Sequence, residues 1–198
     1  MSCGPAAGPI PANNTGSNST TTIILGAYTT PREAYGKLIP LFKERWKQEH
    51  NQELTFQESY LGSGAQSRAI VGGFEADIAA LSLEADMNRI AAAGLITHDW
   101  KNTPTRGMVS DSIVVFAVRK GNPKAINDWA DLARPGLDIL TPNPATSGGA
   151  MWNITALYGA AKRGFVDGVP KDDDAAAAEF LKAVLRNVKV MDKGARES

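Results

Sequence analysis

Cysteine is nearly missing from this chain: Cys3 is the single one in 198 residues. That excludes an internal disulfide, and with it a small disulfide-held scaffold. Histidine is almost as scarce, with only His50 and His98, and no His or Cys pair has metal-ligand spacing. Net charge is absent as well, because 21 Lys and Arg balance 21 Asp and Glu. Without a basic field the chain has nothing to draw nucleic acid or an anionic membrane toward it. No apolar run is long enough to span a bilayer. Catalytic signatures are missing too. There is no Gly-Lys-Ser/Thr phosphate loop and no Gly-x-Ser-x-Gly nucleophile elbow. A Ser–His–acid triad would need His50 or His98 to fold back onto a distant serine, and nothing in the spacing points to it. The sequence calls for no metal and no cofactor.

Small-residue turns are what the chain does have. Three of them, Gly62-Ser63-Gly64, Ser147-Gly148-Gly149 and Gly194-Ala195, stand where a helix should begin. The first N–H groups of a helix have no partner inside it, and the helix dipole is positive there. Small residues let an anion approach that backbone closely. Gly and Ser are also ordinary turn and cap residues, which for any single turn is the simpler explanation. Three together point to a site that holds an oxyanion with neutral dipoles, to which the Ser63 and Ser147 hydroxyls could add donors.

The first 20 residues are rich in Gly, Pro, Asn, Ser and Thr and are expected to form a disordered tether. No charged and apolar stretch of the kind found in a secretory leader is read within them. A Cys followed at once by a polar flexible stretch resembles the start of a mature bacterial lipoprotein, which would make Cys3 a lipid-attachment site.

Beyond the tether, apolar patterning alternates between the two periods. Strands are expected at Thr21–Tyr28, around Leu54–Gln57, at Ile78–Leu83, Ser112–Val118, Leu137–Thr141 and Val188–Met191. Helices are expected from Pro31 past Trp46, with Pro40 as a kink or break. Further helices are expected at Ala65–Val71, Glu84–Ala93, Asn127–Ala133, Gly148–Lys162 with Trp152, Ala156 and Leu157 facing inward, and Asp173–Leu185. Gly194-Ala195 reads as one more helix start. The order βαβαβα predicts an α/β fold with parallel sheets. In such sheets ligands sit beyond the carboxyl ends of the strands, where all three turns fall.

Several segments carry a family resemblance: LGSGAQ at Leu61–Gln66, FEADIAAL at Phe74–Leu81, VRKGNPK at Val118–Lys124, DWADLARPG at Asp128–Gly136, LTPNPATSGGAMWN at Leu140–Asn153 and DKGARES at Asp192–Ser198. From about Thr21 onward the chain resembles the prokaryotic sulfate-binding proteins, extracytoplasmic receptors of sulfate ABC transporters. The resemblance implies a periplasmic-binding-protein-like fold of type II, with two lobes of mostly parallel sheet, helices on both faces, and a cleft between them. It divides the chain into residues 21–110, a first lobe, and 111–198, a second and incomplete lobe.

The resemblance also implies roles. Sulfate would accept from the N–H groups of Thr29, Ser63, Gly148, Gly149 and Ala195 and from the Ser147 hydroxyl, with Gly64 and Arg196 behind them. The family has Asp where this chain has Thr29, a change that a backbone donor survives. A Trp indole donor used by the family lies past Ser198, so the chain reads as a fragment lacking one ligand contact. The implied partners are the sulfate ion and the membrane permease of the transporter, with no nucleic acid, a monomeric state and an extracytoplasmic location. Thiosulfate or molybdate receptors, a hydrolase of sulfate or phosphate esters, and a truncated inactive half-receptor are the alternatives.

Overall fold

The β-branched run that opens the patterned part of the chain forms the central strand of a parallel sheet. In the computed structural model, which describes residues 20–198, β1 (Thr21–Tyr28) lies between β2 (Leu54–Leu61) and β3 (Ile78–Ala80). β1 pairs with β2 along its full length, from Thr21 opposite Leu54 to Tyr28 opposite Leu61. It pairs with β3 from Leu25 opposite Ile78 to Ala27 opposite Ala80. Because β2 and β3 flank β1 on opposite sides, the chain reverses its direction of travel at β1. Their carboxyl ends therefore open a crevice there. Leu25, Ala27, Leu54, Ile70 and Ile90 are buried around this sheet.

The helices that cross over it are α1 (Arg32–His50), α2 (Ser63–Val71) and α3 (Glu84–Ala92). Pro40 was expected to kink or break α1, and the helix runs through it without a break. Pro40 removes the N–H that would bond the Gly36 carbonyl. Both residues lie on the exposed side of α1, where water can satisfy that carbonyl. Asn51 ends the helix in a left-handed conformation with φ 50° and returns its N–H to Lys47.

A second parallel sheet pairs β4 (Ile139–Leu140) with β5 (Val188–Val190). Helices α4 (Gly148–Lys162) and α5 (Asp174–Arg186) pack on each other beside it. Leu157, Ala160, Ala161, Val166, Ala177, Phe180 and Val184 form their shared core. Asp173 caps α5 by accepting from the Ala176 N–H at 2.9 Å.

Four further expectations give way. Ser112–Val118 is apolar enough for a strand, but it forms none. Among the described residues no strand lies alongside to complete a ladder, and Val115 stays 69% exposed. Residues 127–133 give only a 3-10 turn at Ala130–Ala133. Trp152 was expected inside but is half exposed, because it faces the groove between α4 and residues 112–115 rather than the α4–α5 core. Gly194-Ala195 opens a single turn, closed by the Glu197 N–H on the Gly194 carbonyl at 3.2 Å, not an α-helix.

Candidate functional site

The three small-residue turns meet. α2 begins at Ser63 directly after β2, and its N–H groups at Gly64 and Ala65 both donate to the Thr146 carbonyl, at 3.1 and 3.4 Å. Thr146 immediately precedes Ser147, the cap of α4. Its hydroxyl donates to the Lys193 carbonyl at 2.7 Å, which ties in the third turn. Gly62 is required where these segments cross. A Cβ there would stand 2.5 Å from the Thr146 oxygen and 2.8 Å from the Lys193 oxygen. Gly149 and Ala195 also face each other, since a Cβ on Gly149 would lie 3.8 Å from the Ala195 Cβ. Gly194 lies against Thr29, whose Oγ1 is 3.1 Å from the position of a Cβ on the glycine.

Thr29, Ser63, Ser147, Gly148 and Gly149 thus come together with Ala195. Thr29, Ser63 and Ser147 are each less than a tenth exposed. Among the described residues, nothing accepts a hydrogen bond from the N–H groups of Thr29, Ser63, Gly148, Gly149 or Ala195. Two of these are the opening N–H groups of α4, and one opens α2. Ser147 Oγ accepts from the Ala150 N–H at 3.4 Å, the bond of a helix cap. A hydroxyl that caps as an acceptor keeps its own proton for another partner.

The two serines are not equivalent, which the sequence did not reveal. The Ser63 hydroxyl is committed: it donates to Asp86 Oδ2 at 2.7 Å and accepts from the Ser82 N–H at 3.0 Å. Ser63 can therefore offer a ligand its backbone N–H but not its hydroxyl. Asp86 is buried in the first turn of α3. Arg89 holds its other oxygen at 2.7 Å, and the Ser67 hydroxyl donates to its carbonyl at 2.8 Å. Asp86 and Arg89 stand one helical turn apart in α3. Only the position of α3 against α2 turns them into a buried brace for Ser63.

Arg196 and Gly64 occupy outer positions. Arg196 forms a two-pronged ion pair with Glu33 of α1, and its hydrogen bond holds the Glu33 carboxyl below its ordinary value of 4.5. The exposed Glu197 carboxylate lies over Gly194. His50 stacks on Trp46 with ring centroids 4.0 Å apart, away from the turns, and His98 is exposed. Among the described residues no group of three His, Cys, Asp or Glu could hold a metal ion. Cys3 lies outside the described residues.

Chemically, the arrangement gathers N–H groups without acceptors from two helix starts and two turns, while the nearby Arg68 guanidinium is engaged by the Ala145 carbonyl at 3.0 Å. It suits an oxyanion that needs no proton accepted from it.

The family model of bacterial extracellular solute-binding proteins matches residues 23–198. The sulfate-binding protein of Synechococcus elongatus is 41% identical over 184 residues, covering 92% of this chain and 51% of that protein. The sulfate-binding protein of Salmonella typhimurium is 42% identical over 173 residues, covering 87% of this chain and 51% of that protein. Among solved structures, the sulfate-binding protein SubI from Mycobacterium tuberculosis superposes with a TM-score of 0.78 at 35% identity. It covers 89% of this chain and 59% of its own. The chain spans about half the length of the curated relatives it matches.

Proposed function

We propose that this chain, which belongs to the bacterial extracellular solute-binding protein family, is the anion-holding part of a sulfate receptor. Sulfate binds where the three turns meet. It accepts from the N–H groups of Thr29, Ser63, Gly148, Gly149 and Ala195 and from the Ser147 hydroxyl. The observation that carries this reading is the convergence of five N–H groups that no described residue accepts from. Residues 21–110 and 111–198 supply donors from opposite sides, as two lobes around the ion. The bound ion is handed on, unaltered, to the permease of an ABC transporter outside the cytoplasm. Cys3 would be the lipid-attachment point.

The chemistry favours sulfate over phosphate. Sulfate is fully ionised at neutral pH, so a donor-only site satisfies it. Phosphate keeps a proton near pH 7 and needs an acceptor in the site. The buried carboxylate nearest by, Asp86, is engaged by Arg89 and the Ser63 hydroxyl. Glu33 is engaged by Arg196, and Glu197 is exposed to water. Among the described residues neither histidine bonds to a serine, and the Ser63 hydroxyl is held in place by Asp86 and the Ser82 N–H.

Calorimetric titration of the chain with sulfate, and with phosphate at matched ionic strength, tests this. Saturable binding of sulfate, with phosphate at least about a hundredfold weaker, is expected. Equal affinity for the two anions at pH 7 would overturn the donor-only site.

A further inference from the structure

Ser82 interrupts an apolar run, Ile-Ala-Ala-Leu-Ser-Leu, that continues β3 toward α3. Its backbone N–H donates to Ser63 Oγ at 3.0 Å. Its own hydroxyl is buried and pairs with no group among the described residues. Such an orphan costs free energy in a folded protein, and natural sequences rarely keep one without a partner.

The place of this hydroxyl says what the partner is. A side chain added at Gly148 would run into Ser82 Oγ, and the same point lies 3.2 Å from Ser63 Cβ. Ser82 Oγ therefore stands between the start of α2 and the start of α4, the two helices whose first N–H groups, at Ser63 and Gly148, have no acceptor. The surroundings are poor in acceptors. Ser63 Oγ already gives its proton to Asp86 and takes one from the Ser82 N–H. The nearby carbonyl of Thr146 receives Gly64 and Ala65. A hydroxyl among donors needs a group that brings only lone pairs.

We infer that the Ser82 hydroxyl is a further donor to the bound anion, supplied from the β3–α3 junction opposite Ser147. The inference rests on the sulfate reading of the same site and adds a residue that reading did not contain. The ion would then receive a hydroxyl from each side: Ser147 from the α4 cap, and Ser82 from the sheet of β1 to β3. It also gives Gly148 a reason beyond close approach to the ion, because any larger residue displaces this hydroxyl. Ser82 orients Ser63 as well, but through its backbone N–H, which a side-chain substitution leaves in place.

The test is Ser82→Ala in the full chain, read by thermal unfolding with and without sulfate and by sulfate calorimetry. Expected are an unfolding temperature without sulfate equal to or above that of the unsubstituted chain, since an unpaired buried hydroxyl is removed, and sulfate affinity about tenfold weaker. The sulfate-induced rise in unfolding temperature shrinks accordingly. Unchanged sulfate affinity in Ser82→Ala, with the unsubstituted chain binding sulfate, overturns the role of Ser82 and leaves the sulfate reading standing. A lower unfolding temperature without sulfate, with the sulfate-induced rise intact, shows a packing role and overturns it too. If the unsubstituted chain itself binds no sulfate, the parent reading falls and Ser82 falls with it.

Discussion

The Gly64 N–H donates to the Thr146 carbonyl at 3.1 Å, fastening the start of α2 to the residue before the cap of α4. Eighty-two residues apart in sequence, they hold two helix starts at one place. That bond consumes the Gly64 N–H and so decides which N–H groups at the start of α2 remain without an acceptor. Gly64 and Ala65 are tied to Thr146; the Ser63 N–H, between them and Gly62, has no acceptor among the described residues.

Gly62→Ala tests the crossing of these segments. The new Cβ meets two carbonyl oxygens, both backbone, at 2.5 and 2.8 Å, and neither can swing away. Overpacking of this kind costs about 1–3 kcal/mol. Chemical denaturation should show that loss, and sulfate affinity should fall at least about tenfold. The matched control is Gly36→Ala, in α1 with nothing near it. There the exchange should stabilise by about 0.5–1 kcal/mol and leave sulfate binding alone.

Ser147→Ala and Asp173→Ala each remove a helix cap, from α4 and α5. Each should lower stability by ~1 kcal/mol. Only Ser147→Ala should weaken sulfate, because in the proposed site only Ser147 gives its hydroxyl proton to the ion. Equal sulfate affinity in the two variants would show that Ser147 acts as a cap alone.

Asp86→Asn leaves the size of the side chain unchanged and removes the charge that Arg89 and the Ser63 hydroxyl bind. A loss of about 1–3 kcal/mol is expected from the weakened buried bonds. Sulfate affinity should fall as well, since Ser63 loses the anchor that fixes its N–H. Calorimetry and denaturation on one sample separate the two effects.

The Glu33–Arg196 pair sets a pH dependence with a definite sign. The hydrogen bond from Arg196 lowers the Glu33 pKa in the folded chain. A group depressed in this way contributes stability that is fully present above its unfolded value of about 4.5 and is lost as pH falls through the lower folded value. Glu33→Gln should therefore unfold at a lower temperature than the unsubstituted chain at pH 7, and the gap should narrow as pH falls below about 4.5. A gap that persists at acid pH would mean the pair contributes through packing. Sulfate affinity itself should vary little with ionic strength, because no cationic side chain is needed at the focus.

Much of the frame was legible before any coordinates. Where an element is held by its own pattern, the expectation agrees with the structure: the β-branched run of β1 and the span Gly148–Lys162 both form as expected. Where an element needs a neighbour, the expectation fails. Ser112–Val118 has the composition of a strand, but a strand exists only through its ladder, and composition cannot say whether a partner lies alongside. Of the kink or break expected at Pro40, the break does not occur, because Gly36 and Pro40 are on the exposed side where water can satisfy the lost bond. Asp86 was invisible as part of the site because a carboxylate and an arginine three residues apart look alike on a surface and in a core.

The sequence by itself determined the alternation of strand and helix and the small-residue turns at the starts of α2 and α4. These depend on local backbone preference and composition, which each segment carries wherever it lies. Only the tertiary structure decided that the turns meet, that Gly64 and Ala65 are consumed by Thr146 while Ser63 stays free, and that Ser63 gives its hydroxyl to Asp86 while Ser82 keeps one unused. A hydrogen bond between distant residues is set by where two elements come to rest. That placement is fixed by packing the whole chain, not by any segment of it.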